Sequence, residues 1–238
     1  MENSIENYLK VIFNLSQKDN TVVKSADIAS RLSISTPAVS EMLRKLVELD
    51  YIDHKPYKGV TLTKKGEQYG CNMVRRHRIW EMYLHTILGY PWHKVHSEAE
   101  KLEHASSDEL INILDEKLGF PKTDPHGDPI PSKDGKMPNL EKMIQLSDCK
   151  PNKTYKVLRV VDFNEEFINY IDSVGIKPQS NITITHIRDF DKSITVTLNK
   201  NEIALSYFSA QHIFVKQKRK LLLELGLMKH KLIFYPNQ

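Results

Sequence analysis

The sequence is poor in the residues that staple a fold or anchor it in a membrane. Its 238 residues include only two cysteines, Cys71 and Cys149. They stand far apart, which excludes a CxxC zinc or redox site and a disulfide framework. No apolar run is long enough to cross a bilayer, and the chain opens on an amphipathic pattern instead of a signal-peptide core, so a cytoplasmic protein without membrane contact is expected. Strong charge of either sign is also missing. A formal net charge of +4 permits nucleic-acid binding without arguing for it. What remains is ordinary for a globular chain, 40% hydrophobic and 27% charged residues, in a length that suits two or three compact units.

Ile5, Tyr8, Leu9, Ile12, Phe13 and Leu15 recur at helical spacing and leave Glu6, Asn7, Lys10 and Asn14 for the other, polar side. Ser25 is placed to cap a second short helix, with Ile28, Ala29 and Leu32 facing inward. The run Ser33-Ile34-Ser35-Thr36-Pro37 offers a turn, capping hydroxyls and a proline for the first turn of a third helix. That helix carries Val39, Leu43, Leu46, Val47 and Leu49 as its apolar stripe. Tyr51 to Asp53 and Val60 to Thr63 then read as two strands around a basic turn, Lys55-Pro56-Tyr57-Lys58-Gly59. Two short helices and a wing are the parts of a winged helix-turn-helix. Thr36, Pro37, Ser40 and Glu41 are candidate readers of base edges, with Ser35 beside them, and Arg44, Lys45, Lys55 and Lys58 are candidate phosphate contacts. The competing reading is a generic helix pair with solvated lysines.

From Lys64 to Leu88 the pattern predicts one long helix, with His77 and Glu81 four residues apart. After the Gly89-Tyr90-Pro91 break, a further helix presents His96, Glu100, Glu103 and His104. Imidazoles and carboxylates at separations of three and four share a helix face and can share an ion, although a lone His-Glu pair is more often a surface contact.

The string from Val95 to His104, preceded by Arg76 to Glu81 and by the winged helix, resembles the diphtheria toxin repressor and manganese transport regulator family. The similarity is good to about residue 130 and looser to about residue 218. It implies a metal-dependent repressor of metal-homeostasis genes, a homodimer on double-stranded operator DNA. It further implies a primary site of Glu100, Glu103 and His104 joined by Asn7, where relatives carry methionine or aspartate and this chain offers an uncharged amide. Lys10 matches a position where some manganese regulators place a second carboxylate. Its ammonium argues against a closely spaced pair of ions, so two separate sites are expected. The second site, by the same resemblance, uses His77, Glu81 and His96, with Arg78 holding an anion beside it. Asp124-Pro125-His126 stands where longer members have Cys-Pro-His, and Asp162 is the nearest match to an aspartate from the C-terminal domain. Such oxygen-rich sets with imidazole suit manganese(II) first, or iron(II), while zinc, cobalt or nickel would occupy them in vitro.

The segment from Pro121 to Pro138 is dense in Pro, Gly and Asp and reads as a separator. Beyond it, Val157 to Val161, Ile182 to Thr185, Ile194 to Thr197 and Glu202 to Leu205 read as short strands, with a helical stretch from Glu165 to Val174. This part resembles the SH3-like domain of long family members. The expected class is therefore mainly α with a small β domain: a winged helix-turn-helix over 1–66, a helical metal-binding and dimerisation domain over 67–140, an SH3-like β-barrel over 150–216 and an extension over 217–238. The leucines from Leu221 to Leu227 in that extension are expected to pack on the body or a partner. Two other functions compete, a winged-helix regulator not switched by metal and a metalloenzyme. The second lacks a nucleophile-and-base arrangement, so neither catalysis nor a small-molecule substrate is expected.

Overall fold

A computed structural model describes residues 2–17, 22–55 and 58–218. Pro56 and Tyr57 of the wing turn and the leucine-rich tail beyond 218 lie outside the described residues. The order is α1 (Glu2–Ser16), α2 (Ser25–Leu32), α3 (Thr36–Glu48), β1 (Ile52–Lys55), β2 (Gly59–Leu62), α4 (Lys64–Thr86), α5 (Val95–Glu103), α6 (Asp108–Lys117), β3 (Ile144–Gln145), β4 (Lys153–Val160), α7 (Glu165–Ser173), β5 (Asn181–Ile187), β6 (Ile194–Leu198), β7 (Asn201–Leu205), α8 (Tyr207–Gln211) and β8 (Ile213–Gln217).

The first two strands and three helices form a winged helix-turn-helix around Leu9, Ile12, Ile28, Val39, Leu43, Leu46, Ile52 and Val60. Between α2 and α3 the chain turns at Ser33, whose φ of 54° closes α2 in the left-handed conformation. Ser35 caps α3 by accepting from Ala38 N, and Pro37 sits in its first turn. The cap of α2 differs from expectation: it is Lys24, with no side-chain bond, and Ser25 is the first helical residue. Val47 and Leu49 are exposed. Val47 falls eight residues after Val39, about 80° around the helix at 3.6 residues per turn, so it leaves the stripe. Leu49 is already the C-cap.

The wing is antiparallel, pairing Ile52 with Leu62 through to Lys55 with Gly59. Gly59 has φ +114°, and a Cβ there would lie 2.5 Å from Val23 O. That close approach lets Val23 bridge to Val60 and fastens the wing to the helices.

Helix α4 leaves this unit and forms the floor for α5 and α6. Ile79, Ile111, Leu114 and Ile130 pack together over it. The C-terminal SH3-like unit is a six-stranded sheet of order β3-β8-β4-β5-β6-β7, with every pair antiparallel. Register shifts between Val157 and Arg159 and between Ile184 and His186 bend it. β3, α8 and β8 carry too little periodic pattern to be seen in the sequence. β3 pairs Ile144 with Val215, so the sheet starts before residue 150 and ends after residue 216. Trp92, from the turn before α5, is buried in the same apolar cluster as Leu146, Val157, Ile168 and Val215, and so joins the helical unit to the sheet.

Candidate metal centre and nucleic-acid interface

Two groups of ligand-type side chains converge among the described residues, His77 with Glu81 and His96, and Glu81 with Asp124 and His126. In each, one ligand atom per residue lies within 4.8 Å of the others. His77 and Glu81 are one turn apart on α4, and Nε2 is 3.0 Å from Oε1. His96, in the first turn of α5, brings Nδ1 to 3.2 Å from the same oxygen. Asp162, just after β4, places Oδ2 2.8 Å from His96 Nδ1. That oxygen is buried, with His96 as its near neighbour. His126 Nδ1 lies 3.8 Å from Glu81 Oε2 and is buried without a hydrogen-bond partner.

The second group is assembled by its backbone. Asp124 Oδ1 accepts from the backbone N–H groups of His126 and Asp128. Val160 N donates to His126 O, which lays the loop along β4. Gly127 has φ +92°, and a Cβ there would meet Leu158 O at 2.1 Å. Trp92 stacks on His126 with centroids 5.0 Å apart and donates through Nε1 to Pro125 O. Trp92 and Gly127 are thus positioning residues that sequence reasoning missed. A tryptophan after a Tyr-Pro turn and a glycine in a Pro-rich loop carry no local signal of such a task.

Electrostatics fits a cation. Burial works against the charged form of Glu81, yet His77, His126 and His96 outweigh it and hold its carboxyl well below the usual range. Burial also disfavours charge on His96, but Asp162 and Glu81 push it up to about 10. In His126 burial is likewise outweighed, by Glu81, Asp124 and Asp162, and it rises to about 9. Asp124 moves the other way, well above the usual carboxylate range, through burial and then the nearby Glu81 and Asp128 carboxylates. Excess carboxylate here is balanced by protons on imidazoles. Imidazole and carboxylate ligand atoms converging within 4.8 Å, with the buried His126 Nδ1 left without a hydrogen-bond partner, together fit a divalent ion.

The four residues expected to form the other site meet a different arrangement. Lys10 is buried, although its sequence places it on the polar side of α1. Its Nζ donates to Glu103 Oε1 at 2.6 Å and to Glu100 Oε1 at 3.1 Å. Glu6, also assigned to the polar side, is buried too, 2.5 Å from His104 Nδ1 and accepting from the Tyr69 hydroxyl at 2.8 Å. Asn7 lies one turn before Lys10, and its Oδ1 is buried without a partner. The polar side is covered by side-chain contacts: Lys10 reaches Glu100 and Glu103 of α5, and Glu6 reaches His104 at its end and Tyr69 of α4. A positive charge already stands between these carboxylates, so the set as it stands does not fit a second cation. The two clusters also touch: Glu103 Oε2 is 2.5 Å from His77 Nδ1, whereas separate sites were expected.

Arg78, expected to hold an anion, donates to Pro129 O and lies 3.6 Å from Asp124 and 3.7 Å from Asp128. Its counter-anions here are carboxylates of the chain itself.

On the winged helix, Ser35, Thr36, Pro37, Glu41 and Arg44 are exposed along α3, and Ser40 and Lys45 are half-buried. Ser40 Oγ donates to Thr36 O. Lys55 and Lys58 are exposed at the two ends of the wing turn. Polar side chains exposed along α3 and lysines exposed on the wing are the residue types that a helix in a groove and a wing on the flanking backbone require.

Comparison with known proteins agrees with these features. Residues 1–60 match the family model described as iron dependent repressor, N-terminal DNA binding domain; residues 63–132 match its metal binding and dimerisation domain; residues 144–217 match the FeoA domain. The diphtheria toxin repressor of Corynebacterium efficiens is 30% identical over 202 residues, 76% of this chain and 86% of that protein. The HTH-type transcriptional regulator MntR of Oceanobacillus iheyensis is 30% identical over 151 residues, 63% of this chain and 95% of its own length. Among solved structures, a manganese-dependent transcriptional repressor in complex with manganese superposes with a TM-score of 0.81 at 39% identity, covering 90% of this chain and all of that one.

Proposed function

Because the chain belongs to the iron-dependent repressor family, we propose that it is a manganese- or iron-responsive repressor that binds double-stranded operator DNA as a homodimer in the cytoplasm, and that its metal ligands are His77, Glu81, His96, Asp124, His126 and Asp162. The observation that carries this reading is the convergence of ligand atoms from α4, the half-exposed His96 of α5, the buried 124–126 loop and the start of the segment after β4. A divalent ion bound there supplies the positive charge that these carboxylates now draw from imidazole protons.

The residues divide the work. His77 and Glu81 present ligand atoms from one turn of α4. His96 brings α5 to the same point, and Asp162 brings the sheet. Trp92 and Gly127 hold His126 at its position. Manganese, with iron next, suits a donor set of three carboxylates and three imidazoles without a thiolate; zinc, cobalt and nickel would bind in vitro by intrinsic affinity. Thr36, Pro37, Ser40 and Glu41 are proposed to read base edges, and Arg44, Lys45, Lys55 and Lys58 to neutralise phosphates, with Ser35 at the helix start. Dimerisation is supported by exposed apolar side chains on the helical unit, Ile87 and Leu88 after α4 and Leu110 and Ile113 on α6, which a second copy would cover. The cluster has no side chain set as an attacking group beside a free base, which supports a regulator over a metalloenzyme.

Coupling between metal and operator is a linkage: an ion that prefers the DNA-competent arrangement raises DNA affinity by the same free energy. Fluorescence anisotropy with labelled operator DNA, in manganese and in chelator, tests it. At least tenfold tighter binding in manganese is expected; equal affinity in both would reject the reading.

A further inference from the structure

The arrangement around Lys10 has no place in a scheme in which metal fastens the first helix. Its ammonium is buried, and it is held by a wholly buried carboxylate and a half-exposed one, on a helix that belongs to the DNA-binding unit. The two acceptors, Glu100 and Glu103, belong to α5, whose other end carries the metal ligand His96. Two of the four residues expected to coordinate an ion, Glu100 and Glu103, are therefore arranged about a charge supplied by the chain.

We infer that Lys10 is a tethered cation that replaces one metal ion, so that α1 is clamped to α5 in every metal state and the joint that metal controls lies instead where Asp162 and His126 meet α4 and α5. The inference rests on the proposed metal site only for the position of that second joint. Three features support it. A primary ammonium has three donors and a single positive charge, which matches two carboxylate oxygens at 2.6 and 3.1 Å. Divalent charge brought to Glu103, whose side chain is wholly buried, would face that ammonium at contact distance with little solvent to screen it. His104, which would otherwise be a ligand, is taken by Glu6, and Glu6 is in turn fixed by the Tyr69 hydroxyl.

The replacement changes what metal can do. With the α1–α5 clamp already closed, the ion does not set the angle of the winged helix by pulling on α1. It acts on α4 and α5 from the side of the sheet, through Asp162, and on the loop through His126. The 124–126 loop and the sheet then become the sensing parts of this chain.

Equilibrium dialysis against manganese, with bound metal counted by mass spectrometry, separates the possibilities. Glu81→Gln should lose all of the manganese that wild-type protein binds, at concentrations that saturate the parent. Lys10→Glu should bind one ion more than wild type, using Asn7 Oδ1 and the freed carboxylates, and should keep that ion when Glu81→Gln is added. The inference is overturned if Glu81→Gln, with Lys10 in place, retains an ion that adding Glu103→Gln removes, or if folded Lys10→Glu gains none. Should Lys10→Glu fail to fold, the wild-type and Glu81→Gln counts still decide, joined by hydrogen exchange. Amides of α1 should exchange within twofold of one another with and without manganese, while those of residues 124–130 slow at least tenfold; slowing of α1 by metal would contradict the clamp. Wild-type protein that binds no manganese while Lys10→Glu binds one ion would defeat the proposed metal site and leave the tethered cation standing.

Discussion

Replacing Lys10 by methionine keeps an unbranched stem and removes only the charge, which makes the energetic role of the clamp measurable in metal-free protein. The ammonium lies 2.6 Å from Glu103 Oε1, and the Glu103 side chain has no solvent exposure. At an effective dielectric constant near 20, unit charges at that separation attract by about 6 kcal/mol. Desolvation of both ions takes back part of it. Removing one partner of a buried pair leaves the other uncompensated and costs about 3–5 kcal/mol. The contact with Glu100, whose side chain is 47% exposed, adds at most about 1 kcal/mol. Urea unfolding in chelator, followed by the fluorescence of Trp80 and Trp92, reads the loss where α4 and α5 separate. With a denaturant slope of about 1–3 kcal/mol per molar, a loss near 3 kcal/mol lowers the midpoint by about 1–3 M. The double variant Lys10→Met/Glu103→Gln removes both charges and should regain at least half of the loss, because coupled neighbours are not additive. The reasoning is refuted if Lys10→Met unfolds within about 0.5 kcal/mol of wild type, the range of ordinary surface substitutions, or if the double variant is no more stable than Lys10→Met.

Manganese affinity should rise with pH, since His96 and His126, raised to about 10 and about 9, hold protons at neutrality that the ion must displace. Two protons released per ion correspond to about 100-fold per pH unit below pH 9, and isothermal titration showing a constant Kd from pH 6 to 8.5 would contradict it. The same two groups have folded pKa values above the unfolded imidazole, so their stabilisation is complete below about pH 6.5 and is lost as pH rises through about 9 to 10; thermal melts of metal-free protein should fall over that window, and melts that climb would oppose the assignment. Gly127→Ala, which would press a Cβ against Leu158 O, should displace His126 and weaken manganese binding at least tenfold, whereas Gly119→Ala, with nothing within 4 Å of its Cβ, should leave binding unchanged. Lys58→Ala should reduce the slope of log operator affinity against log salt by about 0.9 per half-site, a change absent if the wing does not touch phosphate.

The sequence was informative where one physical signal dominates. Helical spacing marks α1, α3 and α4, and period-2 alternation marks β4 to β7, because a single buried face dictates every second or every third-and-fourth residue. The His77-Glu81 spacing and the His96 to His104 string were likewise readable, since ligand types on one helix face are set by local geometry. The failures are tertiary. Glu6 and Lys10 look like solvent-side residues because no local rule says that an acidic face of α5, ninety residues later, will cover them. Trp92 and Gly127 owe their tasks to a sheet assembled after them in the chain. β3 and β8 are a two-residue and a five-residue strand whose pairing, Ile144 with Val215, spans most of the C-terminal unit, so neither has enough local pattern to stand alone. The family resemblance named Asn7, Glu100, Glu103 and His104 as one site; the charge on Lys10, three residues after the expected ligand Asn7, is what changes the chemistry there.

The most direct test is a manganese anomalous-difference map from crystals of the metal-loaded, full-length protein. The account predicts density enclosed by His77, Glu81, His96, Asp124, His126 and Asp162, with Lys10 Nζ still between Glu100 and Glu103. A peak between Glu100, Glu103 and His104, with the Lys10 side chain swung away, would contradict it.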